Sequence, residues 1–150
     1  MLLHISSEPN APPEDRRVIS SAVDDWNIAS TGISEEHNVC IFLRDERHYI
    51  RGGLLGHIWG GWFQVRFLWV EPDLKGQDYG SRLLQAAEAE ARHHGAQGAY
   101  LETFSFQAKP FYEKHGYIVF ASIEDFPPGH YYYLMRKSFS PAERDEQKAS

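Results

Sequence analysis

Leu74-Lys75-Gly76-Gln77-Asp78-Tyr79-Gly80-Ser81-Arg82-Leu83-Leu84 leaves a strand-like run, turns through a polar glycine loop and enters an amphipathic helical pattern. Backbone N–H groups at a helix start have no partner inside the helix and point outward, and the helix dipole adds partial positive charge there. The stretch therefore reads as an anion site, and a phosphate-bearing cofactor is the first ligand to expect. Asp78 stands where a phosphate would least welcome a carboxylate.

Working outward, residues 62–70 alternate as a strand, with Phe63, Val65, Phe67 and Trp69 on one face and Gln64 and Arg66 on the other. Residues 39–44 and 49–59 read as two earlier strands, joined by a turn at 45–48 and followed by the Gly60-Gly61 turn. Residues 1–5 read as a short first strand. Pro12-Pro13 with Glu14 and Asp15 marks a helix start, Val18, Ile19, Ala22, Val23 and Trp26 share its apolar face, and Thr31-Gly32 ends it. Downstream of the loop, residues 80–94 form a helix with Leu83, Leu84, Ala87 and Ala91 on one side and Gly95 just beyond its end. Then come a strand at 99–104, a short helix at 108–115 closed by Gly116, and strands at 117–123 and 131–137 around the Pro127-Pro128-Gly129 loop.

Three short-linked strands are most easily antiparallel, and the next unit, strand–helix–strand, places residues 99–104 parallel to a neighbour. The fold class is α+β: a mostly antiparallel mixed sheet of six to seven strands flanked by helices.

The bulk properties bound the function. The chain has 150 residues and reads as one domain over 1–140, with a polar tail at 141–150 expected to be disordered. A chain of this size buries about 68–70% of its unfolded surface, enough for a core without staples. The formal net charge of −6 and the lack of a basic stripe argue against nucleic-acid binding. Cys40 is the sole cysteine, so no internal disulfide forms. No charged leader or membrane-length apolar run is visible, and a cytoplasmic location away from membranes is expected. His93 and His94 are adjacent rather than at i, i+4 spacing, and no Cys/His cluster has ligand spacing, so no metal is expected. The aromatic set Trp59, Trp62, Trp69, Tyr131, Tyr132 and Tyr133 is expected mostly in the core.

Four features in this order resemble the GCN5-related N-acetyltransferase superfamily. Leu68-Trp69-Val70-Glu71-Pro72 resembles the end of its fourth strand. Lys75-Gly76-Gln77-Asp78-Tyr79-Gly80 resembles its Arg/Gln-x-x-Gly-x-Gly/Ala pyrophosphate loop. The run Ala108 to Tyr117 resembles its Ala-x-x-x-Tyr-x-x-x-Gly-Phe helix and next strand, and Gly52-Gly53 precedes them. Residues 103–108 with Phe126-Pro127-Pro128-Gly129-His130 further resemble a bacterial subgroup of small members.

The resemblance implies the acyl-CoA N-acyltransferase fold, acetyl-CoA as cosubstrate, and direct acetyl transfer to a primary amine of a small molecule or peptide. It implies that Leu68, Trp69 and Val70 pair through their backbones with the pantetheine arm, and that one of their N–H groups polarises the thioester carbonyl. It implies that Lys75, Gly76, Gln77, Asp78, Tyr79, Gly80 and Ser81 hold the pyrophosphate, and it puts Ser105 where a frequent family asparagine steadies the CoA or the strand end. Tyr112 matches the tyrosine that protonates the departing thiolate; the alternative is a helix tyrosine packed beside Phe111. Glu102 is the candidate general base, against a solvated or salt-bridged strand glutamate, with His57 behind it. Homodimers are common in the family, so a homodimer stands among the assemblies it allows. The competing function is a degenerate member that binds acyl-CoA or a protein without turnover, which the departures at Lys75, Asp78 and Ser105 would favour.

Overall fold

The computed structural model describes residues 1–140, so the tail expected at 141–150 lies outside the described residues. The chain divides into two compact units, residues 1–35 and residue 36 onward.

The first unit is built on α1 (Pro13–Thr31), which begins at the paired prolines and ends at Gly32. Gly32 is left-handed, with φ 73°, and its N–H donates to the Ile28 carbonyl at 2.7 Å. Residues 1–5, expected as a strand, are irregular. Their apolar run has no pairing partner among the described residues, and a strand exists only by pairing.

The second unit holds a six-stranded sheet ordered β1-β2-β3-β4-β6-β5. Its elements are β1 (Glu36–Arg44), β2 (Ile50–Trp59), β3 (Trp62–Val70), a 3₁₀ turn (Pro72–Leu74), α2 (Tyr79–His93), β4 (Gly98–Phe104), α3 (Lys109–Lys114), β5 (Ile118–Glu124) and β6 (Tyr131–Ser138). β1, β2 and β3 are antiparallel neighbours, β4 runs parallel to β3, and β6 pairs antiparallel with both β4 and β5. This is the expected mixed sheet. β1 starts three residues before its apolar run, because Glu36, His37 and Asn38 pair with Trp59, Ile58 and His57 on β2.

The core lies on one sheet face, where Val39, Leu54, Ile58, Phe63, Val65, Leu101 and Met135 meet Leu83, Leu84, Ala87 and Ala91 of α2. Glu88 is a charged member of that helix face and only 3% exposed. Two donors compensate it: the Tyr117 hydroxyl at 2.8 Å and the Lys137 ammonium at 3.0 Å. Burial and the neighbouring Glu88 carboxylate push the Tyr117 phenol far up, so it stays a donor.

A bulge redirects β3. Leu55 pairs with Phe67 and Gly56 with Val65, which leaves Arg66 as an extra residue. The alternation shifts by one place. Phe63 and Val65 are buried, and beyond the bulge Leu68 and Val70 pack against the core. Phe67 and Trp69 emerge on the other face, 68% and 52% exposed. This corrects the expectation that Phe63, Val65, Phe67 and Trp69 share a face, since unbroken alternation in sequence carries no mark of an inserted residue. The aromatic set expected in the core is corrected too: Trp69 and Tyr131 are exposed, and Trp59, Trp62, Tyr132 and Tyr133 only partly buried. Gly56 leaves room for the bulge, because a Cβ there would lie 2.4 Å from the Phe63 ring and 2.6 Å from the Gln64 carbonyl oxygen.

Removing the buried carboxylate tests the Glu88 network. Glu88→Ala strands the Tyr117 hydroxyl and deprives Lys137 of its partner, and should cost about 2–3 kcal/mol in urea unfolding. A loss below about 1 kcal/mol would show that both groups find other partners.

Candidate active site

β3 and β4 pair at only four positions, from Trp62 with Gly98 to Val65 with Leu101. The pairing stops at the bulge, while β4 stays with β6 through Phe104. Leu68, Trp69 and Val70 therefore present a strand edge with no partner on the β4 side, and an unpaired edge is a template for an extended ligand.

That edge forms one wall of a cleft of about 490 Å³. The glycine loop and the start of α2 form the second wall through Leu74, Lys75, Gly76, Asp78, Tyr79, Gly80 and Ser81. The third is α3 and its approach, with Ala108, Phe111, Tyr112 and Lys114.

Arg51 of β2 holds the loop at its entry. Its guanidinium Nε donates to Glu71, a second nitrogen donates to Asp73 at 3.0 Å, and the Glu71 N–H returns to the Arg51 carbonyl at 2.9 Å. Gly76 takes φ 82°, a left-handed conformation that glycine adopts without strain. Asp78 is also left-handed, with φ 70°, and serves as N-cap of α2 without a side-chain capping bond. The first helical bond runs from Arg82 N–H to the Asp78 carbonyl at 3.1 Å. The amides of Tyr79, Gly80 and Ser81 thus lack helical acceptors, and all three residues line the cleft. The Ser81 hydroxyl lies 2.8 Å from His115 Nε2, which ties the start of α2 to the end of α3.

Tyr112 is 7% exposed and sits edge-on to both Phe111 and Tyr117. Burial pushes its phenol up to about 12. A phenol held so high keeps its proton throughout the neutral range and acts as a donor, not as a base.

Of the residues expected at a cofactor site, the cleft gathers Leu68, Trp69, Val70, Lys75, Gly76, Asp78, Tyr79, Gly80 and Ser81, together with Tyr112. Gln77, Glu102 and Ser105 are not among its lining residues. The Ser105 hydroxyl accepts the Tyr131 N–H at 3.0 Å, and the Ser105 N–H donates to the Tyr131 carbonyl at 2.8 Å. Ser105 thereby fastens the end of β4 to the start of β6. Glu102 is exposed on β4, one residue past Leu101, the last β4 residue paired with β3. Desolvation and a side-chain hydrogen bond to Glu102 push Tyr132 up to about 12. His57 is paired with Glu36 at 2.9 Å. The sequence reading missed Arg51 and Lys114. Arg51 acts across the sheet on residues 20 and 22 positions away, which no local motif displays. Lys114 could have been found as the cation two residues beyond Tyr112.

A sheet opened between parallel neighbours, with an anion-type loop and a buried tyrosine at the opening, defines an enzyme of the acyl-CoA N-acyltransferase fold. The model of the acetyltransferase (GNAT) family matches residues 2–117, and the chain belongs to that family of acyltransferases. It is 47% identical over 85 residues to blasticidin-S acetyltransferase of Streptomyces morookaense, a match spanning 56% of this chain and 62% of that protein. An acetyltransferase of Agrobacterium fabrum is 32% identical over 129 residues, 86% of this chain and 94% of that protein. A crystal structure from Agrobacterium tumefaciens, of a protein classed with the acetyltransferases, superposes with a TM-score of 0.84. It is 31% identical and covers 93% of this chain and 100% of that one.

Asp78→Gly removes a carboxylate from the mouth of the helix and relieves a left-handed side chain. It should tighten acetyl-CoA binding up to about fivefold, the scale of one screened charge near a phosphate. Unchanged affinity by isothermal titration would show that Asp78 faces away from the ligand.

Proposed function

We propose that this chain binds acetyl-CoA in the cleft and passes its acetyl group directly to a primary amine. One observation carries the reading: an unpaired strand edge, a helix N-terminus with unused amides and a buried tyrosine line a single cleft. The pyrophosphate lies on the amides of Gly76 to Ser81, with Lys75 and Lys114 supplying positive charge. The pantetheine arm runs along Leu68 to Val70 as a surrogate strand, and an N–H of that edge polarises the thioester carbonyl.

The amine attacks the carbonyl carbon to give a tetrahedral intermediate. The carbon–sulfur bond then breaks, the thiolate takes the Tyr112 proton, and the amine loses one of its own. Glu102, at the point where β4 parts from β3, accepts that proton directly or through water. Its hydrogen bond with Tyr132 fixes the carboxylate's direction. Cys40 lies on β1 and is not among the cleft residues, so no acyl-enzyme step is needed. Blasticidin S is the first acceptor to assay, because the relative named for it shares 47% of 85 aligned residues with this chain.

Thiol release from acetyl-CoA, measured over a panel of amines that includes blasticidin S, tests the reading. Tyr112→Phe should lower kcat by about 10²-fold with CoA affinity within about twofold. Because the Tyr112 phenol sits near 12 and is needed protonated, wild-type kcat should show no descending limb below about pH 11. A full-rate Tyr112→Phe enzyme removes the proton donor from the scheme.

Glu102→Gln should lower kcat/KM for the amine at pH 7 by at least about tenfold and recover toward wild type as pH approaches the amine's own pKa. A constant ratio across pH would assign Glu102 a structural part instead.

A further inference from the structure

Far from the cleft, at the other end of α2, three potential metal ligands converge. His37 lies on β1, Glu90 and His94 at the end of α2, and one ligand atom from each lies within 4.8 Å of the others. The His37 Nε2 is 3.0 Å from Glu90 Oε1. The His37 and His94 rings stack with centroids 3.9 Å apart. Glu90 and His94 stand at i and i+4, and the His94 N–H donates to the Glu90 carbonyl at 3.1 Å, so both side chains leave the same helix face.

We propose that His37, Glu90 and His94 bind a divalent transition-metal ion of the zinc type. Two imidazoles and a carboxylate suit zinc, cobalt, nickel or copper, whereas magnesium and calcium favour sets made of oxygen. Zinc–ligand distances of about 2.0–2.1 Å place tetrahedral donors about 3.3 Å apart. The His37–Glu90 pair, at 3.0 Å, needs only a slight opening to reach that spacing, and a turn of the exposed His94 ring brings in the third donor. An ion pair between His37 and Glu90 would need only two of these groups; the stacked His94 completes a third ligand position and leaves the fourth open to water. The ion would clamp the first residues of β1 to the end of α2, about 20 Å of helix away from the anion loop. Its effect is therefore on stability and is separable from acetyl transfer.

Tag-free protein stripped with EDTA and titrated calorimetrically with zinc chloride should show a single saturable site, with no matching signal for magnesium chloride. His37→Ala and His94→Ala should each weaken zinc binding at least about tenfold, while His93→Ala leaves it in place. Zinc should raise the Tm of the wild type and of His93→Ala but not of the other two variants. The absence of saturable zinc binding to the wild type overturns the proposal. So does binding of wild-type strength in both His37→Ala and His94→Ala, or its loss in His93→Ala alone.

Discussion

The cleft exists because β3 carries one residue more than its partner strand can match. Arg66 has no opposite number on β2, and the bulge that holds it bends the strand at the place where pairing with β4 ends. Without that bend β3 would continue beside β4, the edge at Leu68 to Val70 would be consumed by sheet hydrogen bonds, and no slot would remain for an extended ligand. The same insertion turns Phe67 and Trp69 outward and brings Leu68 and Val70 onto the core. Gly56 permits it, having no side chain to collide with Phe63.

The resulting cleft is held from three directions by polar contacts rather than by a packed apolar lining alone. Arg51 grips the acidic residues at the loop's entry, the Ser81–His115 bond joins the two helices at its rear, and Ser105 fastens β4 to β6 beyond it. Under the proposed function such walls are an advantage, because amides fixed beforehand need no reorganisation when an anion arrives.

What the sequence could reveal was whatever has a local cause. Helix starts at paired prolines, ends at Gly32 and Gly95, the glycine loop and the period of Leu83, Leu84, Ala87 and Ala91 are all short-range, and they stand where they were expected. The candidates Tyr112, Lys75, Gly76, Asp78, Tyr79, Gly80 and Ser81 came from equally local patterns, and one cleft gathers them. The bulge was not, because Val65, Phe67 and Trp69 continue an alternation on paper that the chain interrupts in space. Nor was the burial of Glu88: its spacing from Leu84 and Ala91 puts a charge on the apolar face of α2, and it is tolerated there because Tyr117 and Lys137, 29 and 49 residues away, arrive to satisfy it. His37 and Glu90 are 53 residues apart, and only the packing of β1 against α2 makes them neighbours.

The strand order has a consequence for synthesis. β6, the last strand among the described residues, occupies an interior slot between β4 and β5. While the ribosome is still making residues 131–138, β4 has an open side and β5 has no sheet to join. The half of the sheet that carries Glu102 is thus completed last, and until then an emerging chain offers two bare edges to whatever strand passes by. A chain cut short before β6 would lose more than that one strand: β5 would have nothing to hold it, and β4 would keep only its short parallel contact with β3.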